Sequence, residues 1–445
     1  MSFFRRVFSK KKIIETYHGN RNLKFDKSEY DATYNIAKAA FLLVGVRLFR
    51  EDSPSAKLLW NVFYWFECAN VLLAMTLELI NMMQTAADGS FIDLFTMMPC
   101  VGYLILGIVK TYKIVYYRPV YENLIAELRD FWPQNTVTPE EYNIVRSALT
   151  KLSRLVKGYS LCNVTLCVMF VLPPFVVIVQ RSMGQDIPLS LTFSYWLPFD
   201  QFQHGPFEVL AVLQTWQCSI TLCFIFASDV LFCVFLCHIT MQFELLGIRI
   251  KKMFFVSTDE QLIDAYPLGV YSADYIRDNT ENNSINGRER IYQKNMVEII
   301  LKHRALIRLS GDVENQFTFS LLINFINSSV IICFCGFCCV FVEKWNEINY
   351  KLFLTTATLQ IWLLCWYGQR LIESSEGISD AVYFSGWYNV PQNIKTSLII
   401  ILYRAQKVVC VTTYGFSVIC MASYSTILKT SWSYLMLLVN VFKQD

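Results

Sequence analysis

FSVICMASYSTILKTSWSYLMLLVNVF, Phe416 to Phe442, is apolar enough to cross a bilayer, yet it carries Ser, Thr, Tyr, Asn and one lysine among its apolar residues. A span that only anchors has no need of such groups, because each polar side chain in hydrocarbon costs free energy until something satisfies it. Neighbouring helices and water are the environments that do so. A helix touching both is expected to line a pore or cavity, and the rest of the chain is read as what positions it.

Composition points to a membrane setting. Hydrophobic residues make up 54% of the 445, and mean hydropathy is +0.36, against roughly 45–50% apolar residues in soluble domains. Five apolar runs approach or exceed the ~20 residues that span a bilayer, and two more do so with interruptions. The expected fold class is therefore all-α, a polytopic membrane protein with seven transmembrane helices. The N-terminal MSFFRRVFSKKK is basic but lacks the apolar core and small-residue cleavage site of a signal peptide, so the chain is expected to start in the cytosol.

Residues 1–56 read as a cytosolic segment in which Ile36–Phe49 predicts a short amphipathic helix on the inner membrane surface. Residues 57–240 hold the first four spans, about Lys57–Met83, Phe91–Tyr117, Leu155–Gln180 and Phe207–Thr240. The first contains Glu67 and Glu78, the latter near the outer end, where a carboxylate is expected to reach water. Thr138-Pro139-Glu140-Glu141 reads as a helix start. Pro173-Pro174 predicts a kink in span three, since each proline removes a helical donor. The aromatic loop 182–206 is expected to fold over the outer face. At 1.5 Å per residue span four covers ~50 Å, so its continuation projects into the cytosol. Residues 241–316 read as cytosolic helices, Arg290–Val313 among them, with a polar loop at Ser257–Arg288 broken at Tyr266-Pro267-Leu268-Gly269. Spans five and six lie in 317–367, cytosolic anchor helices in 368–411, and the pore-lining seventh helix in 412–445.

Orientation follows from the basic residues, which favour the cytosolic side. The inner segments hold 12, 8, 10 and 4 Lys/Arg, the outer ones 0, 1, 2 and 1, with Lys429 inside the last span. The N-terminus is thus expected to be cytosolic and the C-terminus extracellular. All fifteen cysteines fall in or beside apolar spans. CFCGFCC (Cys333, Cys335, Cys338, Cys339) would suggest zinc in a soluble protein, but amid Ile, Phe and Val it reads as small residues at helix contacts, with no metal. His18, His204, His238 and His303 are scattered, and no nucleophile triad, phosphate loop or HExxH occurs, so no enzyme is expected.

Three stretches resemble the insect odorant receptors, whose seven spans are inverted in the same sense. They are DVLFC (Asp229–Cys233), GQRLIESSEGISDAVYFSGWY (Gly368–Tyr388) and STILKTSWSYLMLL (Ser425–Leu438). The related gustatory receptors carry Thr-Tyr followed after five residues by Gln-Phe; here Thr413-Tyr414 leads to Cys420-Met421, which favours the odorant branch. The co-receptor's long cytosolic insertion is missing, so the chain looks like a tuning receptor. The resemblance implies a non-selective cation channel gated by a small neutral volatile, working as a hetero-tetramer with the olfactory co-receptor. It implies no cofactor and no nucleic acid, and the plasma membrane of a sensory-neuron dendrite as the location. A gustatory-type channel and a transporter of small apolar molecules are the alternatives; a transporter should show repeated halves with broken helices, and none is found.

On the last helix Thr430, Ser433, Tyr434, Leu437, Asn440 and Val441 share one face by 3.6-residue spacing. Leu437 and Val441 match the family's gate and would form an apolar ring, with Asn440 offering amide oxygens to a cation. Lys429 flanks this face. For the ligand, the implied fold brings together the outer halves of spans two, three, four and six: Phe91, Phe95, Met98, Phe170, Phe175, Leu213, Trp216, Phe353, Thr356 and Gln360, with Tyr195 and Trp196 as a lid beside Phe199. Such an uncharged set suits a small neutral ligand held by shape and one or two hydrogen bonds. Asp229, an acid within an apolar run, is a candidate for function or for a buried structural bond.

Overall fold

The structure, a computed structural model, describes residues 24–48, 54–134, 137–185, 187–254, 281–341 and 344–444. Its helices are α1 Lys27–Thr33, α2 Asn35–Leu43, α3 Pro54–Ala87, α4 Phe91–Tyr116, α5 Arg118–Asp130, α6 Pro139–Ser182, α7 Pro206–Lys252, α8 Glu281–Phe341, α9 Lys344–Tyr383, α10 Gln392–Ala405 and α11 Met421–Gln444. Among the described residues the β structure is limited to one bridge, Thr412 to Val418. Five helices, α3, α4, α6, α7 and α8, are long and apolar enough to cross a membrane. The more polar α9 and α11 complete the seven.

The start of α6 shows how local sequence sets an element. The Thr138 hydroxyl accepts from the Glu141 N–H at 3.2 Å, and the Glu141 carboxylate accepts from the Thr138 N–H at 3.0 Å. Two helix-end donors are thereby satisfied reciprocally, and Pro139 sits where its missing N–H costs nothing. The helix runs through Pro173 and Pro174 to Ser182.

Several boundaries differ from the sequence reading. Arg290–Val313 and span five are one 61-residue helix, α8, because no proline interrupts 281–341. Span six and the polar segment after it likewise fuse into the 40 residues of α9. Of the loop read at Ser257–Arg288, residues up to 280 lie outside the described residues, and the remainder is already helix. The final span begins at Met421 rather than Phe416. Residues 411–419 before it form a tight hairpin, with Thr413 N–H donating to Ser417 O at 2.9 Å and Ile419 N–H to Val411 O at 2.9 Å.

The N-terminal helices are docked into protein as well as amphipathic. Tyr30, Tyr34 and Phe41 are fully buried, while Leu42 and Leu43 stay exposed. The Tyr30 hydroxyl donates to Ile125 O of α5 at 2.8 Å, and Thr33 Oγ1 pairs with His238 Nε2 of α7 at 3.0 Å. At Gly45, φ +83°, the chain turns so close to α3 that a Cβ would lie 2.9 Å from the Tyr64 nitrogen.

The bundle is built around α7. Every residue from Phe224 to Met241 is buried, enclosed by α4, α6, α8, α9 and the docked α2. By contrast α3 and α6 carry exposed apolar stripes, including Val62, Phe66 and Leu73 on one and Leu161, Val168 and Leu172 on the other. Contiguous apolar surface of this kind fits hydrocarbon and not water.

Candidate functional site

Burying a helix on all sides forces its polar residues to find partners. In α7 the Asp229 carboxylate pairs with the Lys110 ammonium of α4, and both are buried. It also accepts from the Tyr159 hydroxyl of α6 at 3.1 Å and the Gln360 amide of α9 at 2.7 Å. The same Gln360 amide lies 3.5 Å from Asn324 Oδ1 of α8. Four helices therefore meet at one acid, and α8 joins them through Gln360. Lys110, within span two, is buried with its partner.

Next to this knot lies a cavity between α3, α4, α6, α7 and α9, covered by the loop before α7. Its walls include Glu78, Tyr103, Phe170, Tyr195, Gln217 and Phe353, with Cys100, Leu104, Leu166, Phe193, Cys218, Thr221 and Leu222 between them. Phe353 stands edge-on to Tyr103 (4.5 Å between centroids) and to Phe170 (5.8 Å), and Phe170 stacks on Phe193 at 6.1 Å. The free space for the centre of a water-sized sphere is about 50 Å³, room for a few waters.

The loop is fixed by hydrogen bonds. Gln214 of α7 clasps the Phe193 backbone, accepting from its N–H at 3.1 Å and donating to its carbonyl at 2.8 Å. The Tyr195 hydroxyl donates to Gln217 Oε1 at 2.7 Å, and the Trp196 N–H to Leu77 O of α3 at 3.3 Å. This cover explains why Glu78, expected to reach water, is only 2% exposed.

Of the residues read as ligand candidates, Phe170, Tyr195 and Phe353 line the cavity. Phe91 and Phe95 face α11, with ring centroids 6.5 and 5.6 Å from Phe442. Met98 packs on Met82, Met97 and Val101. Phe175 and Leu213 are half-buried, and Trp196 and Phe199 are exposed. The Trp216 indole donates to Glu67 at 2.9 Å, the Thr356 hydroxyl bonds back to Leu352 O, and Gln360 belongs to the Asp229 knot. Glu78, which is not among those candidates, is also part of the wall. An acid three residues before Asn81 gave one signal, the clash of its charge with an apolar helix; nothing showed which side it faced.

On α11 burial follows a four-residue repeat. Ile427, Ser431, Leu435 and Val439 are buried; Lys429, Thr430, Ser433, Tyr434, Leu437, Asn440 and Val441 are exposed. The buried side lies on α8, where the Ser431 hydroxyl donates to Ser329 O at 3.1 Å and Leu435 covers Gly336 so closely that a Cβ there would come within 2.7 Å. Cys333 and Phe337 of the cysteine-rich stretch pack against Leu435 and Val439 in this seam. Among the described residues no cluster of three metal-ligating side chains occurs.

The hairpin before α11 is tied to both neighbours. Glu314 of α8 accepts from the Thr412 N–H at 3.0 Å and from its hydroxyl at 2.5 Å; Thr318 donates to Thr412 O at 2.9 Å and accepts from Tyr414 N–H at 2.8 Å. Tyr414 has φ +51°, an uncommon conformation for a residue with a side chain. Gly368 of α9 touches the hairpin backbone; a Cβ there would sit 2.1 Å from Ile419 O.

Seven long helices, a covered cavity within the membrane bundle and a last helix open along one side define a polytopic receptor-like membrane protein. The chain belongs to the 7tm odorant receptor family, whose model matches residues 90–432. Odorant receptor 85b of Drosophila melanogaster is 26% identical over 91% of this chain and 97% of its own length, and odorant receptor 85c of the same species is 25% identical over 90% and 96%. The solved olfactory receptor OR5 from Machilis hrabei in complex with eugenol superposes with a TM-score of 0.74 at 16% identity, covering 93% of this chain and 100% of that one. The fold is the same.

Proposed function

We propose that this odorant receptor is the tuning subunit of a ligand-gated, non-selective cation channel. A small neutral volatile binds in the covered cavity, and α11 lines the pore of a hetero-tetramer formed with the olfactory co-receptor in the plasma membrane. The N-terminus is cytosolic in this reading and the C-terminus extracellular.

The observation that carries it is the open side of α11. Leu437 and Val441 are 62% and 53% exposed in the single chain, beside Thr430, Ser433 and Asn440. A stripe alternating hydroxyl, amide and apolar groups is poorly suited to lipid and well suited to a wet, gated axis shared by several chains. The Machilis receptor's complex with eugenol supports a small volatile as the ligand class here.

Expression with and without the co-receptor, under voltage clamp and a panel of neutral volatiles, tests the proposal. Odorant-evoked cation current is expected from the pair and little or none from this chain alone. Uptake of the volatile without current would instead favour a transporter.

A further inference from the structure

Four acids are buried in the described structure: Glu67, Glu78, Glu141 and Asp229. Three have hydrogen-bond partners in the protein, although Glu67 Oε1 has none. Glu67 accepts from the Trp216 indole at 2.9 Å, Glu141 from Arg249 at 3.1 Å, and Asp229 from Lys110, Tyr159 and Gln360. Glu78 forms no hydrogen bond or ion pair among the described residues, although it is as buried as the others.

Three of its polar neighbours in the cavity are already committed. The Tyr195 hydroxyl is given to Gln217 Oε1, and the Gln217 amide to Asn70, at 3.0 Å to the side chain and 3.2 Å to the carbonyl. The Thr221 hydroxyl donates to Gln217 O at 2.8 Å. The remainder of the lining is aromatic, aliphatic or thiol, with one further hydroxyl on Tyr103 that makes no hydrogen bond to Glu78. An unpartnered carboxyl in such surroundings costs several kcal/mol by transfer measures, so a leucine would serve packing better.

We infer that Glu78 is the polar contact for the ligand, accepting a hydrogen bond from a hydroxyl group, so that the cavity selects small apolar alcohols or phenols over their donor-free analogues. The inference rests on the cavity being the odorant site. A carboxyl oxygen accepts whether or not the group is ionised, so the contact holds in either state. An ether or ester offers only acceptors and leaves one carboxyl oxygen unpaired.

The test uses the chain co-expressed with the co-receptor. Straight-chain and aromatic alcohols are each paired with the methyl ether, and half-maximal concentrations are read from odorant-evoked current. Agonists are expected among the alcohols. Glu78→Leu should lower the alcohol-to-ether preference by about tenfold or more, the scale of a lost bond to a buried polar group. Glu78→Gln, whose amide oxygen still accepts, should retain most of it. Ether responses in Glu78→Leu report that the variant folds and gates; if it fails to reach the surface, Glu78→Met carries the same comparison. An unchanged preference in the apolar variant overturns the inference, as does a wild-type channel answering only donor-free odorants. Absence of current to every volatile would instead remove the receptor-channel reading beneath it.

Discussion

Two helices of this receptor meet their surroundings in opposite ways. Along the middle of α7 no side chain is left open, and even its acid is bonded from three helices. Along α11 one side is packed on α8 and the other is bare. The first is complete within one chain; the second, in the channel proposed above, is completed by other copies or partners. Stability should therefore reside at α7 and conduction at α11, and substitutions in the two should separate these properties.

The largest effect is expected at the Asp229 knot. Removing one member of a buried ion pair leaves the other uncompensated, at about 3–5 kcal/mol. Asp229→Ala or Lys110→Ala should lose most surface protein, while Lys110→Met with Asp229→Leu, which removes both charges, should recover much of it. Surface labelling together with thermal melting of the detergent-extracted protein reads this out. Equal damage from single and double variants would mean that Tyr159 and Gln360, and not Lys110, are what Asp229 needs.

On the open side of α11 the expected effect is functional and leaves folding intact. An apolar ring sheds water when narrow, so a hydrated ion meets a barrier there. Leu437→Ser or Val441→Ser should raise current without odorant severalfold, at unchanged surface level and unchanged rank order of ligands. Asn440→Asp should shift permeability toward divalent cations. An altered odorant ranking with unchanged basal current would place this side at the ligand and not at the ion.

What could be read from sequence follows the same division. Helix existence was legible, because a run of apolar residues carries its own length signal and Thr138 to Glu141 carries its own cap. Fusion of α8 and of α9 was legible in principle from the lack of prolines. That Thr430, Ser433, Leu437 and Val441 share one side of α11 follows from spacing; which side stays open is set by the packing of the other on α8. The helical phase of one span against another was not legible: Phe95 and Phe170 are the same residue type, yet one turns to Phe442 and the other into the cavity. Lys110 and Asp229 are 119 positions apart, and nothing local announces that they meet. Glu78 is hidden by a loop more than a hundred residues later, through the Trp196–Leu77 bond.

The smallest expected effect tests whether α7 stays complete beyond the span. Phe243 on its extension is fully buried, and its ring lies 6.2 Å from that of His303 on α8. Burial, with the Arg404 guanidinium adding to it, pushes the His303 imidazole from 6.5 down to about 4. In the folded protein the ring therefore stays neutral through a range in which the unfolded chain takes up a proton. Stability from this site is unaffected above pH 6.5, declines as pH falls toward about 4, and levels off below. Carboxylates titrate over part of the same range, so the measurement is the difference between wild type and His303→Leu in melting temperature across pH 4 to 8. The variant's curve should be flatter between pH 6.5 and 5, where Asp and Glu contribute least. Parallel curves would show that this seam admits water and that α7 is enclosed only within the membrane.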